Sequence, residues 1–408
     1  MTALNELEVS KSSLWRAGLP AVFLGWVWAR LCIASGFLTA HLLVDQLETP
    51  RGSEQIQQGF FTWDGAFYRG LAQQWYTRPL GGAGSGLSGE EARFFPVYPA
   101  LAKALGPLFG GHADWALIAI SNIAAFLGAW VLWKLATEVL QGQDQDQDQG
   151  EAASTLGRSL ESRSVADRSA VLIAIFPAAF VLAFAYSEGL ALLVVAGTLL
   201  ALQRRNFVMA GLLALLAAAI RPVGGLLLVP IAIELLRAQP RPRWWNWIVG
   251  LGGPFLGFGL ALIWIERSTG ELLLPLRLQR QIRGGFQDPV TRVLEPVGEL
   301  IRGNFRDVYN LGFMVVFLLL FVFMLLGARS SGPKLPTSWI AYSGVSLLLL
   351  LSSQVTDSLG RYGLLVVPFI VALALWADRR WRSIAVGIAC SAGLIWLTSE
   401  ALLGRLVP

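Results

Sequence analysis

The sequence predicts an all-α, polytopic membrane protein, and three observations predict it. Hydrophobic residues make up 55% of the 408 positions and charged residues only 14%, whereas a soluble domain carries about 25% charged residues. Apolar runs near 20 residues recur from end to end. Each can cross about 30 Å of hydrocarbon as a helix, which satisfies its own backbone polar groups. The 16 tryptophans suit an interfacial belt, because indoles settle at the headgroup level.

Other classes fall away on the same composition. A net charge of +5 is ordinary for basic cytoplasmic loops and does not argue for nucleic acid. The two cysteines, Cys32 and Cys390, sit inside apolar runs, and His41 and His112 are isolated. Neither a disulfide framework nor a metal-ligand spacing is present, so no divalent metal is implied.

Taken in order, the apolar runs give about eleven spans: 19–43, 113–140, 168–185, 188–203, 207–220, 222–237, 246–266, 310–328, 338–353, 362–377 and 382–403. Pro177, Pro222 and Pro230 are expected to break or kink the short middle ones, since proline lacks the N–H a helix needs. The polar stretch before the first span has no cleavage pattern, so that span is expected to be retained. The whole chain, 1–408, reads as a single integral membrane domain.

Basic clusters orient the set. Lys11 and Arg16 precede the first span, and Arg158, Arg163 and Arg168 follow the second. Arg204 with Arg205, Arg237 with Arg241 and Arg243, Arg329 with Lys334, and Arg379 with Arg380 and Arg382 fall in alternate loops. Positive charge marks the cytoplasmic side. The N-terminus and the loop 141–168 are therefore expected inside, and 45–112, 267–309 and the C-terminus outside. Segment 267–309 departs from the trend with Arg267, Arg277, Arg280, Arg283, Arg292, Arg302 and Arg306.

Two loops carry little chemistry. The tract QGQDQDQDQG at 141–150 reads as a solvated linker rather than a cation site, because it can bury no core. GGAGSGLSG at 81–89 lacks the Lys-Ser/Thr ending and flanking elements of a phosphate cradle and reads as a hinge.

The loop 45–112 is the informative one. It contains FFTWDGAFYRGLAQQWY and then EEARFFPVYP, in which Asp64 and Arg93 are surrounded by aromatic rings. Phe67, Tyr68, Leu71 and Trp75 recur at helical spacing, predicting an amphipathic interfacial helix. Asp64 stands just before it, where a carboxylate can cap the helix or serve as a base, or both. Tyr98, Leu101, Leu105 and Leu108 predict a second interfacial helix. Arg221, Arg361, Tyr186 and Glu188 lie at the ends of later spans. Charged or aromatic residues there are either snorkelling anchors or site residues. The span count brings all of them to the outer face.

The pattern of Trp63, Asp64, Gly65, Tyr68, Leu71 and Ala72, followed by Tyr76, Glu91 and Phe94-Phe95-Pro96 with Pro99, resembles the first motif of the PIG-V-type mannosyltransferases. Ala185-Tyr186-Ser187-Glu188, Arg221-Pro222-Val223-Gly224 and Arg361-Tyr362 resemble the family's later motifs, in order along residues 20–377. The resemblance implies a GT-C-like fold with about eleven transmembrane helices and interfacial helices in the first outer loop. It also implies transfer of mannose from a polyprenyl-phosphate donor to a lipid or glycan acceptor on the non-cytoplasmic face, with inversion. Asp64 would be the general base, and Trp63, Tyr68, Glu91, Arg93, Tyr98, Tyr186, Glu188, Arg221, Arg361 and Tyr362 would bind substrate.

The chain is short and its Asp-Gln tract idiosyncratic. That suggests a bacterial relative in the plasma membrane, against the endoplasmic reticulum for a eukaryotic one. A GT-C enzyme using another lipid-phosphate sugar, or a polytopic lipid or sugar transporter, stays open at this point. A transporter predicts charges at mid-membrane and internal repeats.

Overall fold

A computed structural model of the chain describes residues 18–47, 52–76, 89–147, 152–303, 308–328, 334–354 and 358–408. These residues form helices joined by turns, with one isolated β-bridge between Phe286 and Ser353. Helix α1, Leu19–Leu43, matches the first expected span. After it come the short α2, Gly52–Gln58, then α3, Asp64–Gln74, and α4, Val97–Leu105. The long α5, Ala113–Gln147, and α6, Ala152–Ile175, follow, then α7, Glu188–Gln203, α8, Phe207–Ile220, and α9, Leu228–Arg237. Next are α10, Trp244–Thr269, with α11, Leu274–Arg283, and α12, Pro289–Ile301. The chain closes with α13, Val308–Gly327, α14, Thr337–Leu351, α15, Leu359–Leu365, α16, Val367–Trp376, and α17, Arg380–Leu402.

Five of these helices, α1, α5, α10, α13 and α17, are long and apolar enough to cross a bilayer. The pair α15 and α16, bent by 85°, makes up to six if it counts as one span. This is a helical membrane protein, but the helices do not reproduce eleven continuous spans. Helices α7, α8 and α14 have 16, 14 and 15 residues. At 1.5 Å per residue they reach only ~21–24 Å, short of the hydrocarbon thickness.

Three expected spans are not single helices. Residues 168–185 were expected to cross as one, yet α6 ends at Ile175, before Pro177, and residues 176–187 run on as turns with a 3-10 piece at Ala179–Leu182. Residues 222–237 open with a 3-10 segment, Pro222–Leu227, before α9. Residues 362–377 break at Val366, just before Pro368. In each case a proline removes a backbone donor near the break. The tract at 141–150 also differs from a linker, since α5 continues through Gln147. Its last residues, and residues 81–88 of the Gly-rich stretch, lie outside the described residues, as do Lys11, Arg16, Arg306 and Arg329.

Packing follows membrane rules. Lipid tails are as apolar as leucine, so helices associate through close backbone approach rather than by hiding large side chains. Helix α1 buries Gly25, Ala29, Cys32, Gly36 and Ala40 and exposes Phe23, Leu24, Leu31, Leu38 and Leu42. A Cβ on Gly36 would lie 2.8 Å from the Ile395 carbonyl of α17, so that contact needs glycine. Every residue of the segment 176–187 but the partly exposed Pro177 is buried, with Phe180, Phe184 and Tyr186 at most 1% exposed. Irregular backbone is tolerated at this depth only where protein covers it and pairs its polar groups. A second apolar cluster caps one end of the bundle, built from Tyr68, Leu71, Phe94, Phe95, Tyr98 and their neighbours.

Candidate functional site

The site is assembled by helix ends. Asp64 is the first residue of α3 and Glu188 the first of α7; Arg221 terminates α8, and Arg361 sits in the first turn of α15. Arg93 ends the 3-10 turn Glu90–Arg93 that precedes α4. The sequence places these five ionisable residues up to 297 positions apart, and the fold joins them in one cluster.

Asp64 does not cap its helix. It is the first residue of the helix, and the N-cap position belongs to Trp63. Its carboxylate instead faces arginines, with Arg361 Nη1 donating to Oδ2 at 2.5 Å and Arg93 Nη2 standing 4.0 Å from Oδ1. Trp63 holds φ 55° and ψ −118°, a backbone state that side-chain-bearing residues rarely adopt and that concentrates at functional turns. The turn is fixed from both sides. Trp63 Nε1 donates to the Ala401 carbonyl at 2.9 Å, and Gln55 Oε1 accepts from the Thr62 hydroxyl and, at 3.4 Å, from the Trp63 amide.

Glu188, with 1% of its side chain exposed, pairs with Arg221 and lies 3.5 Å from Arg361 Nε. Ser187 links the two halves: its Oγ is 2.8 Å from the Tyr68 hydroxyl and accepts from Arg221 Nη1 at 3.3 Å. The Tyr362 ring lies 5.0 Å from the Arg221 guanidinium and 5.3 Å from that of Arg361. The Arg93 guanidinium lies 4.6 and 4.9 Å from the rings of Phe67 and Phe94, which stack on each other, and meets the half-exposed Glu90 at 3.6 Å. Within the cluster Arg221 and Arg361 balance Asp64 and Glu188, and Arg93 adds a third guanidinium.

The electrostatics keep the acid ionised. Burial alone would raise the pKa of Asp64, but the charges of Arg361, Arg93 and Arg221 and the Arg361 hydrogen bond outweigh it and hold the carboxyl below the usual carboxylate value. Burial pushes the Tyr68 hydroxyl up despite the nearby Arg221, so it stays a neutral hydrogen-bonding group. What results is an ionised carboxylate among fixed cations, 18% exposed, able to accept a proton or to orient a hydroxyl.

Other predicted residues form the frame. Tyr186 and Tyr98 are fully buried; Tyr186 donates to the Thr62 carbonyl at 3.1 Å and Tyr98 to that of Leu117 at 2.8 Å. Both rings are packed into the frame of the site through these backbone contacts. Glu91 accepts from the Gly89 amide at 2.8 Å, closing the turn that presents Arg93. In the arginine-rich 267–309 segment, Arg277 and Arg302 are exposed and pair with Glu271 and Glu299 of their own segment. Ser187 is a site residue that sequence reasoning did not single out; its signal was its place between Tyr186 and Glu188.

Beside the cluster lies a groove between α7, α8, α14 and α15. Arg221 and Tyr362 line it together with Val195, Leu226, Leu349 and Leu365. It is apolar along its length and cationic where Arg221 enters. No family model, curated protein or solved structure matches the chain.

Proposed function

We propose that the chain is a GT-C-type glycosyltransferase of the PIG-V kind, moving mannose from a polyprenyl-phosphate donor to a lipid or glycan acceptor on the non-cytoplasmic face. The observation that carries this reading is the wall shared by the charged cluster and the apolar groove. Arg221 belongs to both, so a ligand with a phosphate head and a hydrocarbon tail would meet matching chemistry along its length.

In this reading the acceptor hydroxyl attacks C1 of the sugar, the bond from C1 to the phosphate oxygen breaks with inversion, and the hydroxyl proton passes to Asp64. The charge that develops on the leaving polyprenyl phosphate is stabilised by guanidinium donors, whose charge-assisted bonds to phosphate are strong and directional. Arg221 and Arg361 are the residues to which this role falls. Tyr68 and Ser187 keep their geometry. The pairing of Arg221 and Arg361 with Glu188 and Asp64 leaves neither guanidinium as an orphaned buried charge, which would be severely destabilising.

Photo-crosslinking tests the reading. A polyprenyl phosphate bearing a benzophenone on its chain should label α14 at Leu349 or Leu350, and excess unlabelled polyprenyl phosphate should suppress the labelling. Adducts scattered over the lipid-facing residues of α1 and α13, without competition, would reject the groove as a donor site.

A further inference from the structure

Arg30 lies near the middle of α1, ~17 Å from its start and ~20 Å from its end at the helical rise. An arginine at such depth in an apolar span is expensive and calls for a partner. No carboxylate pairs with it among the described residues. Its Nε and Nη2 both donate to Oδ1 of Asn122 in α5, at 3.1 and 2.6 Å, and its guanidinium lies 4.5 Å from the Trp26 ring. Asn122 spends its other end on backbone: Nδ2 donates to the carbonyls of Ile118 and Ala183, each at 2.9 Å.

Ala183 belongs to the segment 176–187, outside the α-helices, and its carbonyl takes its hydrogen bond from the Asn122 side chain. The neighbouring Ser121 hydroxyl donates to the Leu182 carbonyl at 3.3 Å. Two residues beyond Ala183, the Ala185 amide donates to the Phe60 carbonyl at 2.9 Å, and the Tyr186 hydroxyl reaches Thr62. Phe60 and Thr62 lead directly into Asp64, and Ala185 and Tyr186 lead into Ser187 and Glu188. One strip of irregular backbone thus sets both acids of the site, and Asn122 holds its far end.

The geometry points to Arg30 and Asn122 as positioning residues: the guanidinium locks the Asn122 amide, and the amide holds the Ala183 carbonyl, so that residues 183–188 keep Glu188 and Asp64 in register. Oδ1 must face two arginine donors while Nδ2 must face two carbonyls, so Arg30 fixes the only amide orientation that serves the segment. A leucine at position 122 would leave the Ala183 carbonyl buried and unpaired, which proteins avoid. Only the turnover readout below rests on the transferase reading; the exchange readout does not.

Asn122→Asp separates the two ends of the relay. It keeps, and strengthens, an acceptor for Arg30 but removes the donor to Ala183. Hydrogen exchange followed by mass spectrometry on the full chain in detergent should show the peptides covering 183–188 and 60–66 exchanging about tenfold faster or more, the effect of unpairing a buried carbonyl. Exchange in α10, away from the segment, should stay as in the wild type. Turnover of polyprenyl-phosphate mannose should fall at least tenfold, with the donor KM little changed. Arg30→Lys, which offers a charge without the planar fork, should give intermediate exchange and serves if Asn122→Asp does not insert.

Wild-type exchange at 183–188 in both variants would overturn the proposal. So would faster exchange there with unaltered 60–66 exchange and unaltered turnover. If the wild type turns over no lipid-phosphate sugar, the transferase reading falls, and coupled loosening of 183–188 and 60–66 alone decides the relay.

Discussion

Glu188→Gln and Asp64→Asn remove one negative charge each from the same cluster, yet they should separate stability from activity. Glu188 is the acid paired with Arg221, whose side chain is 9% exposed. Glutamine can still accept from Arg221, but without the charge that guanidinium stays buried with no anion of its own, beside the Ser187 hydroxyl at 3.3 Å and the Tyr362 ring. Breaking a buried pair by deleting one partner costs about 3–5 kcal/mol. Asp64 is more exposed, and its partner Arg361 keeps Glu188 at 3.5 Å. Asparagine can still accept from Arg361, so Asp64→Asn should lose about 1.5–3 kcal/mol at most, the worth of a charge-assisted hydrogen bond. Transfer should respond in the opposite order, with Asp64→Asn lowering the rate by roughly 10²–10⁴-fold through loss of the base. Unfolding in mixed dodecylmaltoside–SDS micelles, followed by tryptophan fluorescence, measures the first quantity and radiolabelled sugar transfer the second. Equal destabilisation by the two variants, or a less stable Asp64→Asn, would refute the charge assignment.

Four further outcomes follow from the geometry. Because the pKa of Asp64 is depressed in the folded state, the stability its ionised form contributes is fully present above its unfolded pKa and is lost as pH falls through the depressed value. Arg361→Gln removes the strongest attraction opposing burial, so the acid limb of the pH–rate profile should move to higher pH, and an unmoved limb would remove Asp64 from the proton step. Arg221→Lys and Arg361→Lys should weaken donor use markedly, since lysine cannot reproduce a two-bond grip on phosphate; the same change at Arg277 or Arg302 should be mild, and equal small effects at all four would assign the phosphate to other groups. Gly224→Ala should abolish the turn that aims Arg221, because its Cβ would meet the Ala217 carbonyl oxygen of α8 head-on, whereas Gly225→Ala meets nothing within 4 Å; comparable activity in the two would show that this close approach is unimportant. Cysteines placed at Ser85 and Ser154, with Cys32 and Cys390 replaced, should label from opposite sides of the membrane, and labelling from one side would remove the basis for an outer-face site.

Much of the site was legible because ionisable residues stand out in an apolar sequence. Asp64 and Arg93 drew attention as the charges within aromatic blocks, and Glu188, Arg221 and Arg361 as charges at span ends. Their meeting follows from those ends sharing one side of the bundle. The role of Asp64 at its helix was less legible. A carboxylate before an amphipathic stripe looks like a cap, and only the positive φ of Trp63 and the approach of Arg361 from α15 turn it toward the cluster. The span at 168–185 was misread for a general reason: hydropathy reports burial in an apolar medium, and a protein-covered irregular strand is as apolar as a helix. Pro177 carried the missing signal. Arg30 and Asn122 escaped notice because each is one polar residue inside a long apolar run, and run-averaging erases such residues.

The most direct test of the account is turnover by the purified, reconstituted chain with a panel of polyprenyl-phosphate sugars and a mixed pool of lipid acceptors. The account predicts mannose transfer from polyprenyl-phosphate mannose, with little from the glucose or arabinose donors, and its loss in Asp64→Asn protein of wild-type exchange and insertion. Mannose transfer that survives Asp64→Asn unchanged, or a folded chain that neither binds nor turns over any lipid-phosphate sugar, would contradict it.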